Sequence, residues 1–246
     1  MQIIKANLGQ VANVQGLMTT RQGGISVAPY DSLNLGDHVG DDESAVKINR
    51  TLLVKELGLP QDPIFLNQTH STKVLRLPYQ EGMDLNADAV YSDQANQVCL
   101  VMTADCLPVL FTNRQGNEVA AAHAGWRGLC DGILEETVKQ FRVPKEDIIV
   151  WLGVAIGPKF FQVGKEVVEQ FIAKDHQAKN AFTPDREQEN KFLGNLYQIA
   201  KQRLNALGIT EIYGGEHCTY SDKERFFSYR RDGKTGRLAS LIWFSK

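Results

Sequence analysis

Apolar residues rich in Val, Ile and Leu fall along this chain in short runs, some alternating with polar positions and some continuous, punctuated by Gly, Pro, Asp and Asn. Runs of this length read as strands, half-buried where they alternate and buried on both faces where they do not. They predict strands near residues 14–19, 64–66, 73–77, 89–91, 98–102, 108–111, 119–123, 148–153, 212–214, 226–229 and 238–243. Helical spacing appears up to Leu57, where Asp42 is placed to N-cap the segment. Ala45, Ile48 and Leu52 share one side with Leu53 and Leu57 beside them, and Gly58 then Pro60 end it. Three further helices are predicted at 132–141, 164–174 and 191–207, the last stopped by Gly208 in the position a left-handed C-cap prefers. The polar stretch 174–188, with Asp175, Lys179, Asp185 and Arg186, reads as a surface excursion rather than a linker. Many strands intermixed with fewer helices, and no repeat, predict an α+β protein folding as a single domain over residues 1–246.

Composition narrows the class. In 246 residues, 43% hydrophobic and 23% charged positions with three Trp are enough for a large core and far from the composition of disorder. A formal charge of -2 gives no basic footprint for nucleic acid. The first residues show no basic segment followed by an apolar one, and no run approaches the ~18 apolar residues of a membrane span, so a cytoplasmic protein is expected. Cys99, Cys106, Cys130 and Cys218 are widely spread with no CxxC pair, which favours reduced thiols over disulfides.

Candidate chemistry sits at the polar ends of three apolar runs: His70 in LNQTHSTKV, Cys106 in VMTADCLPVLF and His123 in AAAHAGWRGL. One thiolate and two imidazoles suit Zn²⁺, and a catalytic zinc takes three protein ligands and leaves a fourth position for water or substrate. The separations match no standard zinc spacing, and a lone His or Cys at such a position is more often a packed or hydrogen-bonded residue. The neighbouring polar groups Asn67, Gln68, Thr69, Thr103 and Asp105 favour a site, since they could orient the ligands. A second reading makes Cys106 a nucleophile with His123 as its base; metal content separates the two.

Other residues carry less. His217 and Cys218 are adjacent and would face opposite sides of a strand, His176 reads as solvated, Cys130 as core, and His38 as either a loop hydrogen-bonder or a site residue. Arg21 with Gly23, Gly24 and Ser26, and Arg127 with Gly125 and Gly128, could be anion cradles or simple turns with a surface Arg. Near the C-terminus Arg225, Arg230, Arg231 and Arg237 lie among Phe226, Phe227 and Tyr229, with a possible hairpin at Asp232-Gly233. Strand alternation would send Arg230 and Arg231 to opposite faces, and Arg230 is the one expected in a site.

Taken together, TTRQGGIS, NLGDHVGDD, NQTHST, ADAVYSD, TADCLPVLF, AAAHAGWRG, AIGPKFFQVG and ERFFSYRRDGKTGR resemble the bacterial laccase-domain family, also called polyphenol oxidoreductases, of the YfiH type. The resemblance spans nearly the whole chain. It implies a single-domain α/β/β/α layered sandwich with mixed sheets, related to cytotoxic-necrotizing-factor-like cysteine hydrolases, in which His70, Cys106 and His123 bind one zinc. It also implies phosphorolysis of adenosine, inosine, guanosine and methylthioadenosine, and hydrolytic deamination of adenosine, or in some relatives the removal of misincorporated amino acids from peptidoglycan precursors. Purine nucleoside and phosphate are then the expected partners, with Arg21 or Arg230 neutralising phosphate and Asp105 orienting a ligand or relaying a proton. The laccase label itself fits poorly: five histidines with no HxH pair are too few for four coppers, so copper-dependent polyphenol oxidation is expected only as an adventitious property of Cu²⁺ in a zinc-type site. The HxE and PCxxC elements of cytidine-deaminase chemistry are absent as well.

Overall fold

The apolar runs pair into three sheets, seen in a computed structural model that describes residues 1–246. Four antiparallel strands form the first, in the order β1 (Ile3–Lys5), β2 (Val14–Thr19), β13 (Leu238–Phe244), β5 (Cys99–Thr103). Six form the second: β12 (Glu211–Gly214), β8 (Ile148–Leu152), β6 (Leu107–Asn113), β7 (Val119–Ala124), β4 (Ala89–Ser92) and β3 (Val74–Arg76). Its outermost pairs are parallel and its inner pairs antiparallel, so this sheet is mixed. The third is a small antiparallel patch, β10 (Phe182–Pro184), β11 (Lys191–Gly194), β9 (Gln162–Gly164).

Strands β6, β7 and β8 are buried at every position, which is why they read as continuous apolar runs. Alternate residues face opposite sides. Val109, Phe111, Ala120, Ala122 and Val150 pack beneath α2 (Trp126–Asp131), α3 (Ile133–Val138), α4 (Lys165–Lys174) and α5 (Leu196–Ala206). On the other side Leu110, Ala121 and Trp151 meet Met18, Val101 and Ile242 of the four-stranded sheet. That sheet's far face, with Leu17, Leu100 and Leu241, is covered by Leu53 of α1 (Glu43–Leu57). The layers therefore run helix, sheet, sheet, helix, the α/β/β/α order the resemblance implied. No helix is long and apolar enough to cross a membrane, and all four cysteines are free.

Local signals explain where the expected elements hold and where they fail. Helix α1 starts where Asp42 accepts a hydrogen bond from the Ala45 N–H at 2.8 Å and stops at Gly58, whose φ of 58° is left-handed. The helix expected at 132–141 ends at Val138, and a preceding helix, α2, was not foreseen; Gly132, at φ 110°, separates them. The helix expected at 191–207 begins only at Leu196, capped by Asn195, because residues 191–194 pair as β11. The polar excursion is partly internal, burying Ala178, Ala181 and Phe182. Residues 64–66 bury Leu66 without joining a sheet, and a single bridge, Asn67 with Asn86, follows them. The strand expected at 226–229 is absent: Phe226 and Phe227 are both fully buried, so there is no alternation, and the chain turns directly into α6 (Tyr229–Asp232). Ser228 caps that helix and Gly233 ends it, so Asp232-Gly233 is no hairpin.

Candidate metal centre

The β6–β7 ladder places two of the three predicted ligands side by side. Leu107 pairs with Ala124 and Pro108 with His123, so Cys106, one residue before β6, lies next to His123 near the end of β7. His70 arrives from a separate loop at φ 61°, a conformation few side chains adopt without support. The support is Asp88. This fully buried carboxylate accepts hydrogen bonds from the backbone N–H groups of Thr69, His70 and Ser71 (3.2, 3.0 and 2.6 Å) and from the Ser71 hydroxyl (2.7 Å). Its fifth partner is His123 Nδ1, at 2.8 Å. One side chain therefore fixes the His70 loop and the ring orientation of His123 together.

The three donor atoms lie within 4.8 Å of one another, with His70 Nε2 3.8 Å from Cys106 Sγ. Gly125 makes room for them: a Cβ there would stand 2.5 Å from His70 Cδ2 and 3.1 Å from Cys106 Sγ. Burial pushes the Cys106 thiol up, but His123 and His70 outweigh it and bring it down to about 6. Burial pushes His123 down, yet the charges of Cys106 and Asp88 raise it to about 9. Asp88 is raised by burial and lowered more by its hydrogen bonds from His123 and Ser71, reaching about 2. At neutral pH the cluster is a thiolate beside an imidazolium that is held by a carboxylate.

This donor set fits a single borderline-soft cation. One thiolate and two imidazoles converge from separate segments, and the Asp88 contact on the far nitrogen of His123 is the carboxylate–histidine arrangement that orients metal-binding imidazoles. The protein has one such group of His, Cys and acidic residues, which suits one ion rather than four coppers.

The cluster opens into a cavity of about 470 Å³, within the range of small-molecule sites. Met102, Trp126, Ile156, Phe161 and Leu196 supply apolar walls, and His38, Gln68, Arg230 and Arg237 supply polar ones. Asp105 lies in the cavity wall at φ 94°, with Oδ1 accepting from the Thr219 hydroxyl (2.6 Å) and Oδ2 from the Arg230 N–H (2.7 Å). Both oxygens are thus engaged in holding the turn that presents Cys106. Arg230 faces the cavity and donates from Nη1 to the carbonyls of Phe160 and Gln162 (3.2 and 3.0 Å). Arg231 points away, bonded to the carbonyls of Thr219, Tyr220 and Phe226, so only one of the pair enters the cavity, through helical rather than strand geometry.

Arg21 is not brought to the cluster. It donates to the carbonyls of Asp31 and Lys223 (2.7 and 3.1 Å), pairs with the Asp31 carboxylate, and stacks over Phe227 in a different depression. The N–H groups of Gly23 and Gly24 are spent on the Ser32 hydroxyl, so that segment is a turn and not an anion cradle. Arg127 stacks on Trp126, Cys130 is core, and His217 and Cys218 line another groove. Asp88, which sequence reasoning missed, did leave a trace: it is an acidic residue inside the apolar run from Ala87 to Tyr91, where a carboxylate persists only if well partnered.

Four-layered architecture and a Cys–His–His cluster lining an open cavity define the class: a mixed α/β protein with a candidate catalytic metal centre. Residues 15–245 match the family described as multi-copper polyphenol oxidoreductase laccase, and the chain belongs to that family. It is 67% identical to a protein of Haemophilus influenzae named purine nucleoside phosphorylase, over 99% of this chain and 100% of the relative. It is 53% identical to Escherichia coli purine nucleoside phosphorylase YfiH, over 95% of each. The crystal structure of a Neisseria meningitidis protein superposes with a TM-score of 0.95 at 46% identity, covering 100% of both chains. The family is therefore one of enzymes, known among its relatives by a phosphorylase name.

Proposed function

We propose that this chain is a zinc-dependent purine nucleoside phosphorylase, acting on adenosine, inosine, guanosine and methylthioadenosine, with hydrolytic deamination of adenosine as a second activity of the same cavity. The observation that carries the reading is the convergence of His70, Cys106 and His123 on one point in the wall of a cavity with both apolar and basic linings. The names of the relatives at 67% and 53% identity supply the reaction class.

In phosphorolysis a phosphate oxygen bonds to the sugar C1′, the C1′–N9 bond breaks with its electron pair leaving on the purine, and the purine takes up a proton. A zinc ion held by the three donors would supply a fixed positive charge where the anionic nucleophile must be oriented. The protein's own residues do the rest. Trp126, Ile156 and Phe161 offer an apolar wall for the purine and exclude water from it. Arg230 offers positive charge for phosphate, Asp105 positions both Arg230 and the Cys106 turn, and Asp88 keeps His123 Nε2 directed at the cluster. We assign the activity to the cytoplasm, where thiols such as Cys106 stay reduced. Oxidation of phenols then belongs to copper replacing zinc on the same donors.

A second reading has a specific observation behind it. A thiol lowered to about 6 beside an imidazole raised to about 9 is also what a Cys106–His123 nucleophilic dyad requires, in keeping with kinship to cytotoxic-necrotizing-factor-like hydrolases and with editing of peptidoglycan precursors. Incubating the protein with adenosine, with and without phosphate, and assaying free base and ammonia tests the first reading. Phosphate-dependent release of adenine, abolished by a chelator and by Cys106→Ala, is the expected result. Hydrolysis that survives the chelator and is lost in Cys106→Ala would establish the dyad, and no release of base under any condition would end the phosphorylase reading.

A further inference from the structure

Arg237 is the one half-buried arginine in the molecule without a carboxylate. Arg21, Arg50, Arg76, Arg203, Arg225 and Arg231 are half-buried too, and each sits on an Asp or Glu. Arg237 lies in the cavity wall, immediately before β13, and spends one nitrogen, Nη1, on the carbonyls of Thr235 and Gly236, both at 3.1 Å. Its Nε and Nη2 make no hydrogen bond within the protein. Desolvation weakens its hold on the proton, while the charges of Cys106 and Asp105 reach it and strengthen that hold. A partly desolvated cation that lines a cavity with donors unspent is suited to take an anion there.

The residue is built in place rather than left over. The Arg237 N–H donates to Asn34 Oδ1 at 2.9 Å, and its stem is pressed against Gly36, where a Cβ would come within 2.7 Å of Arg237 Cγ. Across the β5–β13 ladder, Thr103 pairs with Leu238, the neighbour of Arg237, and it also lines the cavity. Thr103 is 2% exposed and its hydroxyl has no hydrogen-bond partner, so a second unspent polar group belongs to a residue lining the same cavity.

We infer that Arg237, assisted by the Thr103 hydroxyl, is the anchoring site for inorganic phosphate beside Cys106. The inference rests on the phosphorylase reading above and goes beyond it by moving the main phosphate anchor from Arg230, whose Nη1 is spent on the Phe160 and Gln162 carbonyls, to a guanidinium in the same cavity with Nε and Nη2 free. A guanidinium fork matches two phosphate oxygens at once, whereas a lysine ammonium does not. The oxygen left free on the bound phosphate then forms the bond to C1′ as the bond to N9 breaks.

Steady-state phosphorolysis by zinc-loaded Arg237→Lys is the test. The KM for phosphate should rise about tenfold or more while the KM for nucleoside stays within about twofold, as expected for loss of a charge-assisted pair. Arg237→Ala should lose activity and regain part of it when millimolar guanidinium is added, a rescue that a merely structural role would not produce. An Arg186→Gln control, at an exposed site away from the cavity, should leave both constants unchanged. An unchanged KM for phosphate in both Arg237 variants would overturn the inference. If the wild-type protein shows no phosphorolysis, the underlying reading fails and calorimetric titration with inorganic phosphate decides Arg237 alone. Binding by wild type and not by Arg237→Ala keeps the anion site; equal binding by both, or by neither, removes it.

Discussion

Asp88 Oδ1 receives both the His70 N–H and His123 Nδ1, and this sharing couples the protonation of the cluster to its shape. Between pH about 6 and about 9 Cys106 is a thiolate and His123 carries a second proton, the one on Nε2 facing the sulfur. A metal ion needs that nitrogen bare, so binding must expel the proton. Zinc binding to the metal-free protein at pH 7.5 should release close to one proton, read by calorimetry in buffers of different ionisation enthalpy. The sign follows. Affinity should fall by about tenfold for each unit the pH drops below about 9, and more steeply below about 6, where the thiol also has a proton to lose. Asp88→Asn removes the carboxylate that helps hold the imidazolium, so it should lower both the proton count and the zinc affinity, the latter by about 10–100-fold. A proton count near zero at pH 7.5 in the wild type would contradict the ion-pair description of the cluster.

At the scale of elements, α1 is the clearest case of local instructions being obeyed. Its cap is Asp42 and its stop is Gly58, and Leu53 of its buried face packs on the side of the four-stranded sheet away from the six-stranded one. Asp42→Ala should therefore cost about 1 kcal/mol and lower Tm by about 2–4 °C without altering kcat; a calorimetric melt alongside an activity assay checks both. The same locality explains what could be read from the sequence. Strands β2, β5, β6, β7, β8 and β13 are long enough for an apolar run to stand out, whereas β9, β10 and β11 have three or four residues and no such run. The 226–229 segment reads as a strand from its short aromatic run, but Phe226 and Phe227 are both buried where the chain leaves a loop for α6. His70, Cys106 and His123 were legible from their places at the ends of apolar runs. Asp88 and Thr219 were not, because what defines them is a partner distant in the chain: His123 is 35 residues from Asp88, and Asp105 is 114 from Thr219.

Across the whole molecule the cluster gathers segments distant in the sequence that the strand ladders and Asp88 bring side by side. Cys106 lies on the step from β5 to β6, where the chain leaves one sheet for the other, while His123 is the penultimate residue of β7 and the His70 loop is tied through Asp88 to the head of β4. An ion held by all three donors would clamp the crossover between sheets to the edge half of the six-stranded sheet, and it would bind the folded state far more tightly than the unfolded one, in which these residues are not brought together. Ligand binding of this kind stabilises by mass action, about 4 kcal/mol when the free ion is a thousandfold above its Kd. For a chain of this size that corresponds to roughly 8–16 °C in Tm. Zinc-loaded protein should therefore melt well above the same protein treated with a chelator, and readdition of zinc should restore the midpoint. Cys106→Ala should melt at one temperature with or without zinc, since two imidazoles without the thiolate grip the ion too weakly to shift the equilibrium. A wild-type midpoint indifferent to both chelator and zinc would mean that the three donors hold no ion, and would leave the Cys106–His123 pair to act as a dyad on its own.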